Sequence, residues 1–530
     1  MRPLPTPEEM SRWDQAAIER GIPEFTLMEN ASREAFHVLL KEIGKMEGRR
    51  VLLFMGGGNN GGDAACLARH LYDAGAETLV LHTRPLKSYK GTTGRHLRLA
   101  RACGVSFAPV SDWPERFRAT PWHPGCTEHP NPGPDIVVDG LLGTGFSGNL
   151  REKELSLVRT INSLASRAFI LAIDIPSGLS GLTGRPCPEA VRATATVTFE
   201  AAKPGLVLPE ATIFTGSLHI RSIGMPRIVR EMLPPSFQLI GRDLGAHLPA
   251  HVFDWHKGTA GSVLVVGGSE GLVGAPHLAA RAALRSGAGL VSIAAPEALC
   301  RDIKADCPDI MTRPLGPAGT RYWTPALLEE LQALLATCNA VVLGPGIGRH
   351  SETAAFVQAF LSLKRPRTVL DADALHALSV FPEAILQLRP DDVLTPHPGE
   401  AAKLLGKTPA EIQADRFTAL NDLKALAPSV WVLKGAGTLV GTRGKADAIS
   451  PFAAPNLATG GSGDVLAGCL GSLLAMREHS LETMLAACLA VLVHAEAGLQ
   501  LAVRFPARGN TASEIADTLP AAVASLHTSC

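Results

Sequence analysis

Two strand-like runs pass directly into glycine-rich turns, and this pairing constrains the fold more than any other feature of the chain. Val51–Met55 (VLLFM) leads into GGGNNGGD at Gly56–Asp63, and Ser262–Val266 (SVLVV) leads into GGSEGLVG at Gly267–Gly274. Each is followed by an Ala-rich helical stretch and by further strands. These are Thr78–His82, Ile136–Asp139 and Phe169–Asp174 after the first, and Leu290–Ala294, Ala340–Leu343, Thr368–Asp371 and Val430–Lys434 after the second. Strands alternating with helical segments predict parallel α/β sheets, and two such series predict two α/β domains. The 530 residues agree, being more than one hydrophobic core usually organises. The Pro-rich, aperiodic Met225–Pro249 marks the join. The expected domains are 1–228 and 236–530. Thr120–Pro134, crowded with Pro, His and Gly, reads as a surface loop of the first domain. The two halves do not align as copies of each other.

Charge narrows the partners. Fifty Lys and Arg balance fifty Asp and Glu, so nothing favours nucleic acid or an anionic membrane. Ten cysteines include no CxxC pair and no Cys/His cluster with zinc spacing, and they read as buried thiols in a reducing compartment. The first residues carry acids and no apolar h-region, unlike a secretory signal. The apolar runs Val465–Met476 and Met484–Gly498, interrupted by Arg477, Glu478 and His479, fall short of the roughly 20 residues a membrane span needs and read as core helices. The expected location is the cytoplasm.

Gly56, Gly58 and Gly61 match GxGxxG directly after a strand. A dinucleotide clamp also wants an acid at the end of the next strand, and LVLHTR offers none there. A plain glycine-rich turn with left-handed Asn residues is the alternative. Two further strand ends favour a site. Ile136–Gly145 (IVVDGLLGTG) presents Asp139, and Phe169–Leu179 (FILAIDIPSGL) presents Asp174 and Ser177. Ligands of parallel sheets bind outside the carboxyl ends of strands. There Asn60, Asp139 and Ser177 can converge as hard oxygen ligands for a cation, with Asp174 as a base.

GxGNNGGD, D-x-LLGTG and D-x-PSG, with LMENA at Leu27–Ala31 and TFEAAKPGL at Thr198–Leu206, resemble the N-terminal domain of the bifunctional NAD(P)H-hydrate repair enzymes over roughly Met10–Met225. The resemblance implies a Rossmann-like three-layer αβα domain that epimerises the R and S forms of hydrated NADH and NADPH. It implies that Asn59, Asn60, Gly61, Gly62 and Asp63, with Gly143, Thr144, Gly145, Phe146, Ser147, Gly148 and Asn149, contact the hydrated dinucleotide. Asn60, Asp139 and Ser177 would hold a potassium ion, and Asp174 would bind substrate and handle its proton. Ala64 departs from the family pattern, which usually has Gly there, and its methyl is expected to narrow the loop slightly.

In the second half, Pro455–Gly468 reads PNLATGGSGDVLAG. Glycines at a helix N-terminus aim several N–H groups at one anion, reinforced by the helix dipole. Asp464 beside that anion hole can take a proton from an attacking hydroxyl, although an Asp there can also merely cap the helix. Lys434 ends the strand of VWVLKGAGTLV, where a cation can meet phosphate, or can be an exposed hairpin lysine. His397 stands between two prolines in LTPHPGE, a rigid setting that favours ligand contact over a purely structural role. Asp371 and Asp373 of LDADAL can bind Mg2+ through water.

These motifs, with HKGTAGSVLVVGGS at His256–Ser269, AALRSGAGLV and GPGIG, resemble the ribokinase-like superfamily and, in it, the ADP- or ATP-dependent dehydratase domain of the same repair enzymes. That implies a ribokinase-like αβα domain. Ala275, Gly348, His397 and Asp464 would contact the hydrated nicotinamide nucleotide. Lys434, Gly435, Ala436, Gly437, Thr438 and Gly463 would contact the adenine nucleotide, bound with Mg2+. The implied reaction phosphorylates the C6 hydroxyl of the hydrated ring, with Asp464 as base, and then expels phosphate. The fused arrangement resembles bacterial members, which tend to use ADP. The expected partners are NADHX, NADPHX and ADP or ATP, with no nucleic acid and no membrane, in a homo-oligomer of unstated order. Two other readings make the second half a vitamin-precursor kinase and the first half a non-catalytic binding module.

Overall fold

The computed structural model describes residues 1–112, 133–249, 256–305, 307–476, 480–506 and 509–528. Most of the loop expected at Thr120–Pro134, and the interruption at Arg477–His479, lie outside the described residues. Two compact units divide between Phe237 and Gln238, the second also taking Met1–Arg2. The Pro-rich Met225–Pro249 is more ordered than its composition predicts, carrying a short helix, Arg227–Met232, and a strand, Phe237–Leu239. Pro226 at the start of that helix supplies the backbone angle its first turn needs.

The first unit is a parallel sheet of seven strands. They are β1 (Arg50–Met55), β2 (Glu77–His82), β3 (Ser106–Pro109), β4 (Ile136–Gly140), β5 (Phe169–Ile173), β6 (Ala195–Phe199) and β7 (Ser217–Arg221), in the order β3-β2-β1-β4-β5-β6-β7. Alternate residues of β1 feed two cores. Val51, Leu53 and Met55 join the cluster under α1 (Pro7–Glu19), α2 (Glu24–Ile43), α3 (Asn59–Asp73) and α4 (Gly91–Ala102), while Leu52 and Phe54 join the opposite one. Burial on both faces makes β1 apolar throughout rather than alternating, which is why it was legible as a strand. Strand order reverses between β1 and β4, so their carboxyl ends open a crevice where ligands of such sheets bind.

The second unit's sheet contains β8 (Ser262–Val266), β9 (Leu290–Pro296), β10 (Met311–Leu315), β11 (Ala340–Leu343), β12 (Arg367–Leu370), β13 (Val393–Leu394), β14 (Val430–Leu433), β15 (Leu439–Gly441) and β16 (Asp447–Ile449). They run in the order β16-β15-β14-β13-β12-β11-β8-β9-β10. From β10 to β14 neighbours are parallel, but β14–β15 and β15–β16 are antiparallel, so this sheet is mixed rather than wholly parallel. The KGAGT turn closes a two-strand hairpin too short for a crossover helix, which forces the change of direction. The helices that position the site are α5 (Gly274–Arg285), α6 (Asp373–Val380), α7 (Pro398–Leu405) and α8 (Ser462–Ala475). A further helix, α9 (Thr483–Arg504), extends to 22 residues, longer than the apolar run that marks it, and is long and apolar enough to cross a membrane. Of its most apolar stretch, 78% is buried inside the unit.

The described cysteines are free, as expected, but not uniformly buried. Cys66, Cys469 and Cys488 are buried, Cys103 is exposed, and Cys187, Cys300, Cys307 and Cys338 are intermediate.

Candidate active sites

In the first unit the turn after β1 is shorter than its eight-residue motif suggests. Gly58 is the N-cap of α3, so Asn59, Asn60, Gly61, Gly62 and Asp63 form the helix's first turns instead of a loop, and neither Asn is left-handed. Gly56 has no alternative: a Cβ there would lie 1.8 Å from the Leu141 carbonyl oxygen, inside the Gly-rich loop after β4. Gly61 likewise backs onto the Gly56 carbonyl, so the two loops close tightly over the crevice.

That closeness brings the expected cation ligands together. The Asn60 amide nitrogen donates to the Leu142 carbonyl at 2.7 Å, and the Leu142 N–H donates to Ser177 Oγ at 2.9 Å. The Ser177 hydroxyl and N–H both donate to the Asp139 carboxylate, at 2.6 and 2.7 Å, and Leu141 N–H adds a third bond at 3.2 Å. Asp139 is fully buried, and burial pushes its carboxyl up to about 6 against the pull of those bonds. Asn60 Oδ1 is buried with no hydrogen-bond partner. A buried amide oxygen without a donor fits a hard cation as its missing partner.

Asp174 lies across the same crevice in a left-handed conformation, φ 64°. Such backbone strain, about 1–3 kcal/mol for a residue with a Cβ, concentrates at functional sites. Its Oδ1 accepts from Lys203 Nζ at 2.5 Å and from the Thr198 hydroxyl at 3.2 Å, and its Oδ2 accepts from Thr144 N–H at 3.2 Å. Lys203, only 1% exposed, is the residue sequence reasoning missed, although it stood inside the quoted TFEAAKPGL. Gly143 lies between the two groups, a Cβ there falling 3.3 Å from both Asn60 Cγ and Asp174 Oδ2.

A cavity of about 1490 Å3 opens over these residues. Its walls include Asn59, Asn60, Asp63, Gly143, Thr144, Gly145, Phe146, Ser147, Gly148 and Asp174, together with Lys203. Gly61, Gly62, Asn149, Asp139 and Ser177 do not line it; Gly62 packs against Met28 and Thr93. Asp14 also lines it. Burial raises Asp14 to about 6, and burial with the neighbouring Asp174 and Asp14 raises Asp63 well above the carboxylate range.

Ala64 does not narrow the loop. It is fully buried within α3, and a Cβ on Gly140 of β4 would lie 2.5 Å from its methyl, so that methyl packs at the helix–sheet interface. Ala64→Gly is therefore expected to lower stability by about 1–2 kcal/mol, through helix propensity and lost packing. The KM for epimerisation is expected to stay unchanged; urea unfolding and steady-state kinetics check the two halves of that statement.

In the second unit, Gly461 adopts φ 88° as the N-cap of α8, a left-handed conformation that favours glycine. No side chain caps this helix, so Asp464 in its first turn is not a capping residue. Gly463 faces the charged cluster: a Cβ there would be 3.3 Å from Lys434 Nζ and 3.8 Å from Asp371 Oδ2. Lys434 Nζ donates to Asp371 Oδ1 at 2.7 Å and lies 3.8 Å from Glu400 Oε2. Lys434 thus belongs to a hairpin, as the alternative reading held, but its ammonium is turned into an acidic cluster and is largely buried. Burial alone would lower Lys434; Asp371 and Glu400 outweigh it and raise it. Three carboxylates share this ammonium. Burial first, then Asp371, raises Asp464 to about 7, and burial also raises Glu400 to about 7.

The remaining expected residues divide. Gly348, φ 88°, donates its N–H to Asp373 Oδ2 at 3.2 Å, and Arg349 Nε donates to Asp373 Oδ1 at 2.7 Å. Asp373 therefore clamps the GPGIG loop, and both its oxygens are engaged. Ala275 meets the same loop, 3.1 Å from where a Cβ on Gly346 would lie. His397 caps α7: its Nδ1 accepts from Gly399 and Glu400 N–H at 3.0 and 3.3 Å, while Glu400 bonds back to His397 N–H at 2.8 Å. The rigidity expected of His397 comes from this capping box as much as from its prolines. Burial and Lys434 lower its pKa, which keeps the ring neutral. Gly435, Ala436, Gly437 and Thr438 form the β14–β15 turn. Arg416, unnoticed in the sequence, donates to the carbonyls of Leu433, Lys434 and Gly437 at 3.1, 3.3 and 3.3 Å. His494 of α9, also unnoticed, bonds Ser462 Oγ through Nε2 at 3.1 Å, and burial lowers it to about 4.

Two family models match the chain: "YjeF-related protein N-terminus" over residues 24–205 and "NAD(P)H-hydrate dehydratase" over residues 263–521. A bifunctional NAD(P)H-hydrate repair enzyme of Coxiella burnetii is 34% identical over 505 residues, covering 95% of both chains. The chain belongs to this family. A second repair enzyme, of Moorella thermoacetica, is 35% identical, covering 98% of this chain and 96% of that one. Among solved structures, an ADP/ATP-dependent NAD(P)H-hydrate dehydratase of Bacillus subtilis, co-crystallised with ATP and Mg2+, is 26% identical. It covers 54% of this chain and 98% of its own, with a TM-score of 0.46. Each family model lies within one of the two units.

Proposed function

We propose that the first unit interconverts the R and S epimers of NADHX and NADPHX, and that the second dehydrates the S epimer to the reduced cofactor at the expense of ADP or ATP. The observation that carries the second part is Asp464, uncapped, raised to about 7 and beside Lys434 at the glycine-rich start of α8. A base of that strength is half ionised near neutral pH, where it best accepts a hydroxyl proton. In the proposed step the C6 oxygen of the hydrated ring attacks the terminal phosphorus of the nucleotide. The hydroxyl proton passes to Asp464, and the bond to the nucleotide's bridging oxygen breaks. Loss of phosphate from C6 and of a proton from C5 then restores the ring double bond. Lys434 and the N–H groups of the first turn of α8 offset the phosphate charge. His397 and the GPGIG loop, held by Asp373, orient the hydrated nucleotide.

Asp373's engagement leaves Asp371 as the carboxylate of LDADAL that faces Gly463, so Asp371 is the residue proposed to meet nucleotide-bound Mg2+ through water. ADP is the proposed donor, on the resemblance to bacterial members of the family. A kinase of a vitamin precursor would share the anion hole and base, but not the epimerase-like unit. Incubation with NADHX and either nucleotide distinguishes them. Returning absorbance of the reduced nicotinamide supports dehydration, whereas an accumulating phosphorylated alcohol without it refutes the proposal. The same assay with ADP and ATP in parallel identifies the donor.

In the first unit, Asp174 is the proposed proton-handling carboxylate. Asn60, Asp139 and Ser177 would hold K+, which supplies fixed positive charge beside the substrate. Replacing K+ by Li+ in the buffer is expected to slow epimerisation and to leave dehydration unchanged, measured by chiral separation of the epimers and by reduced-nicotinamide absorbance. A cytoplasmic location and a homo-oligomer complete the proposal.

A further inference from the structure

Away from both sites, three helices of the first unit bring together a set of soft and borderline donors. Cys66 and His70 project from one face of α3, four residues apart. Glu29 faces them from α2, its Oε2 3.3 Å from Cys66 Sγ and its Oε1 2.9 Å from His70 Nε2. These three ligand atoms lie within 4.8 Å of one another. His96 of α4 supplies an independent observation. It is 0% exposed, stacks on Phe25 at 4.1 Å, holds its Nδ1 3.8 Å from Glu29 Oε2, and neither ring nitrogen makes a hydrogen bond to another side chain. The sequence offered no zinc-spaced cluster because these donors come from three separate helices.

Arg69 touches the same atoms. Its Nη2 lies 2.6 and 2.7 Å from the two Glu29 oxygens, 3.7 Å from Cys66 Sγ and 3.3 Å from His70 Nε2. A cationic nitrogen surrounded by a carboxylate, a thiol and an imidazole marks the place where those groups converge. At 24% side-chain exposure, the guanidinium has a route to solvent.

We propose that Glu29, Cys66, His70 and His96 form a binding site for a divalent transition-metal cation, Zn2+ by the chemistry of its donors, in which the ion displaces the Arg69 guanidinium. Thiolate, two imidazoles and a carboxylate suit zinc in tetrahedral geometry. Zinc ligands at about 2.0–2.3 Å from the ion lie about 3.3–3.8 Å from one another, so closing Glu29, Cys66 and His70 takes shifts of about 1 Å, and His96, which approaches the group through Glu29, turns further to complete it. Binding forms a metal–sulfur bond and breaks the S–H bond of Cys66, its proton leaving to solvent. The ion's two positive charges are then balanced by the Cys66 thiolate and Glu29. Because the thiol gives up its proton on binding, affinity rises with pH. The site is distinct from the crevice and would tie α2, α3 and α4 together.

The test uses the full-length chain, stripped with a chelator and titrated with Co2+ as a spectroscopic probe for Zn2+. The expected result is one equivalent giving a thiolate-to-Co2+ charge-transfer band and the intense visible bands of tetrahedral Co2+, both bleached by Zn2+. Cys66→Ser should abolish the charge-transfer band, and His70→Ala and His96→Ala should each weaken binding about tenfold or more. Arg69→Met, which removes the competing cation, should tighten binding about fivefold. Wild-type protein without the band, a band that survives Cys66→Ser, or Arg69→Met that fails to tighten binding would each overturn the proposal. Circular dichroism and epimerisation by the first unit, whose crevice residues these variants leave in place, confirm that the variants are folded. If Cys66→Ser does not fold, the His70→Ala and Arg69→Met titrations still decide, because they predict shifts of opposite sign.

Discussion

Asp464→Asn is expected to slow dehydration by about 10²–10⁴-fold, the usual contribution of a general base, and to leave epimerisation at the wild-type rate. Asparagine keeps the shape of the side chain at the start of α8 but cannot take a proton from the substrate hydroxyl. Since α8 has no side-chain cap, the substitution removes no cap and should cost little stability. Epimerisation is untouched because its residues all belong to the other unit. The base must be ionised to act, so wild-type kcat/KM for dehydration should fall about tenfold per pH unit below about 7. Glu400 titrates in the same range, and the limb therefore reports a coupled pair. Variants separate the two. Glu400→Gln removes one of the negative charges that raise Asp464 and should move the limb to lower pH. Lys434→Met removes the charge that lowers Asp464 and should move it higher. A limb unmoved in both variants, or simultaneous loss of both activities in folded Asp464→Asn, would contradict the assignment.

The parts of this architecture that were legible in the sequence are those whose signal is local. β1 and β8 are buried on both faces and run into glycines, so strand, turn and helix follow one another within about fifteen residues. Edge strands escaped. In β10 (Met311–Leu315) only Leu315 is buried, and β3 (Ser106–Pro109) ends on an exposed proline, so neither has an apolar run to reveal it. The charged partners escaped for another reason. Lys203 meets Asp174 across 29 residues, Lys434 meets Asp371 across 63, and His494 meets Ser462 across 32. Periodicity carries no information about such pairings; the crossing of loops at the strand ends creates them. The same limit explains His397, whose prolines were visible but whose cap with Glu400 depends on the turn closing. Once Asp373 is seen engaged by Arg349 and Gly348, it supports a loop rather than an ion, a distinction that the two acids of LDADAL cannot express as letters.

Lys203→Met should abolish measurable epimerisation and destabilise the first unit by about 3–5 kcal/mol, the usual cost of removing one partner from a buried ion pair. Lys203 is 1% exposed, and its ammonium donates to both Asp174 Oδ1 and Thr198 Oγ1, at 2.5 and 2.8 Å. Without it the Asp174 carboxylate keeps only the Thr198 hydroxyl and the Thr144 N–H as donors, inside a largely buried crevice. The backbone strain at Asp174, φ 64°, is then opposed by fewer contacts, so the carboxylate loses its position as well as its charge partner. Asp174→Asn combined with Lys203→Met removes both charges together. Because two neutral groups need no compensation in a dry site, the double variant should recover most of the lost stability while remaining inactive in epimerisation. Urea unfolding of the single and double variants, with epimer interconversion assayed in parallel, measures the coupling. If Lys203→Met keeps the wild-type epimerisation rate, then Lys203 has no part in placing the reacting carboxylate. If the double variant is no more stable than Lys203→Met alone, the pair is not the source of the destabilisation.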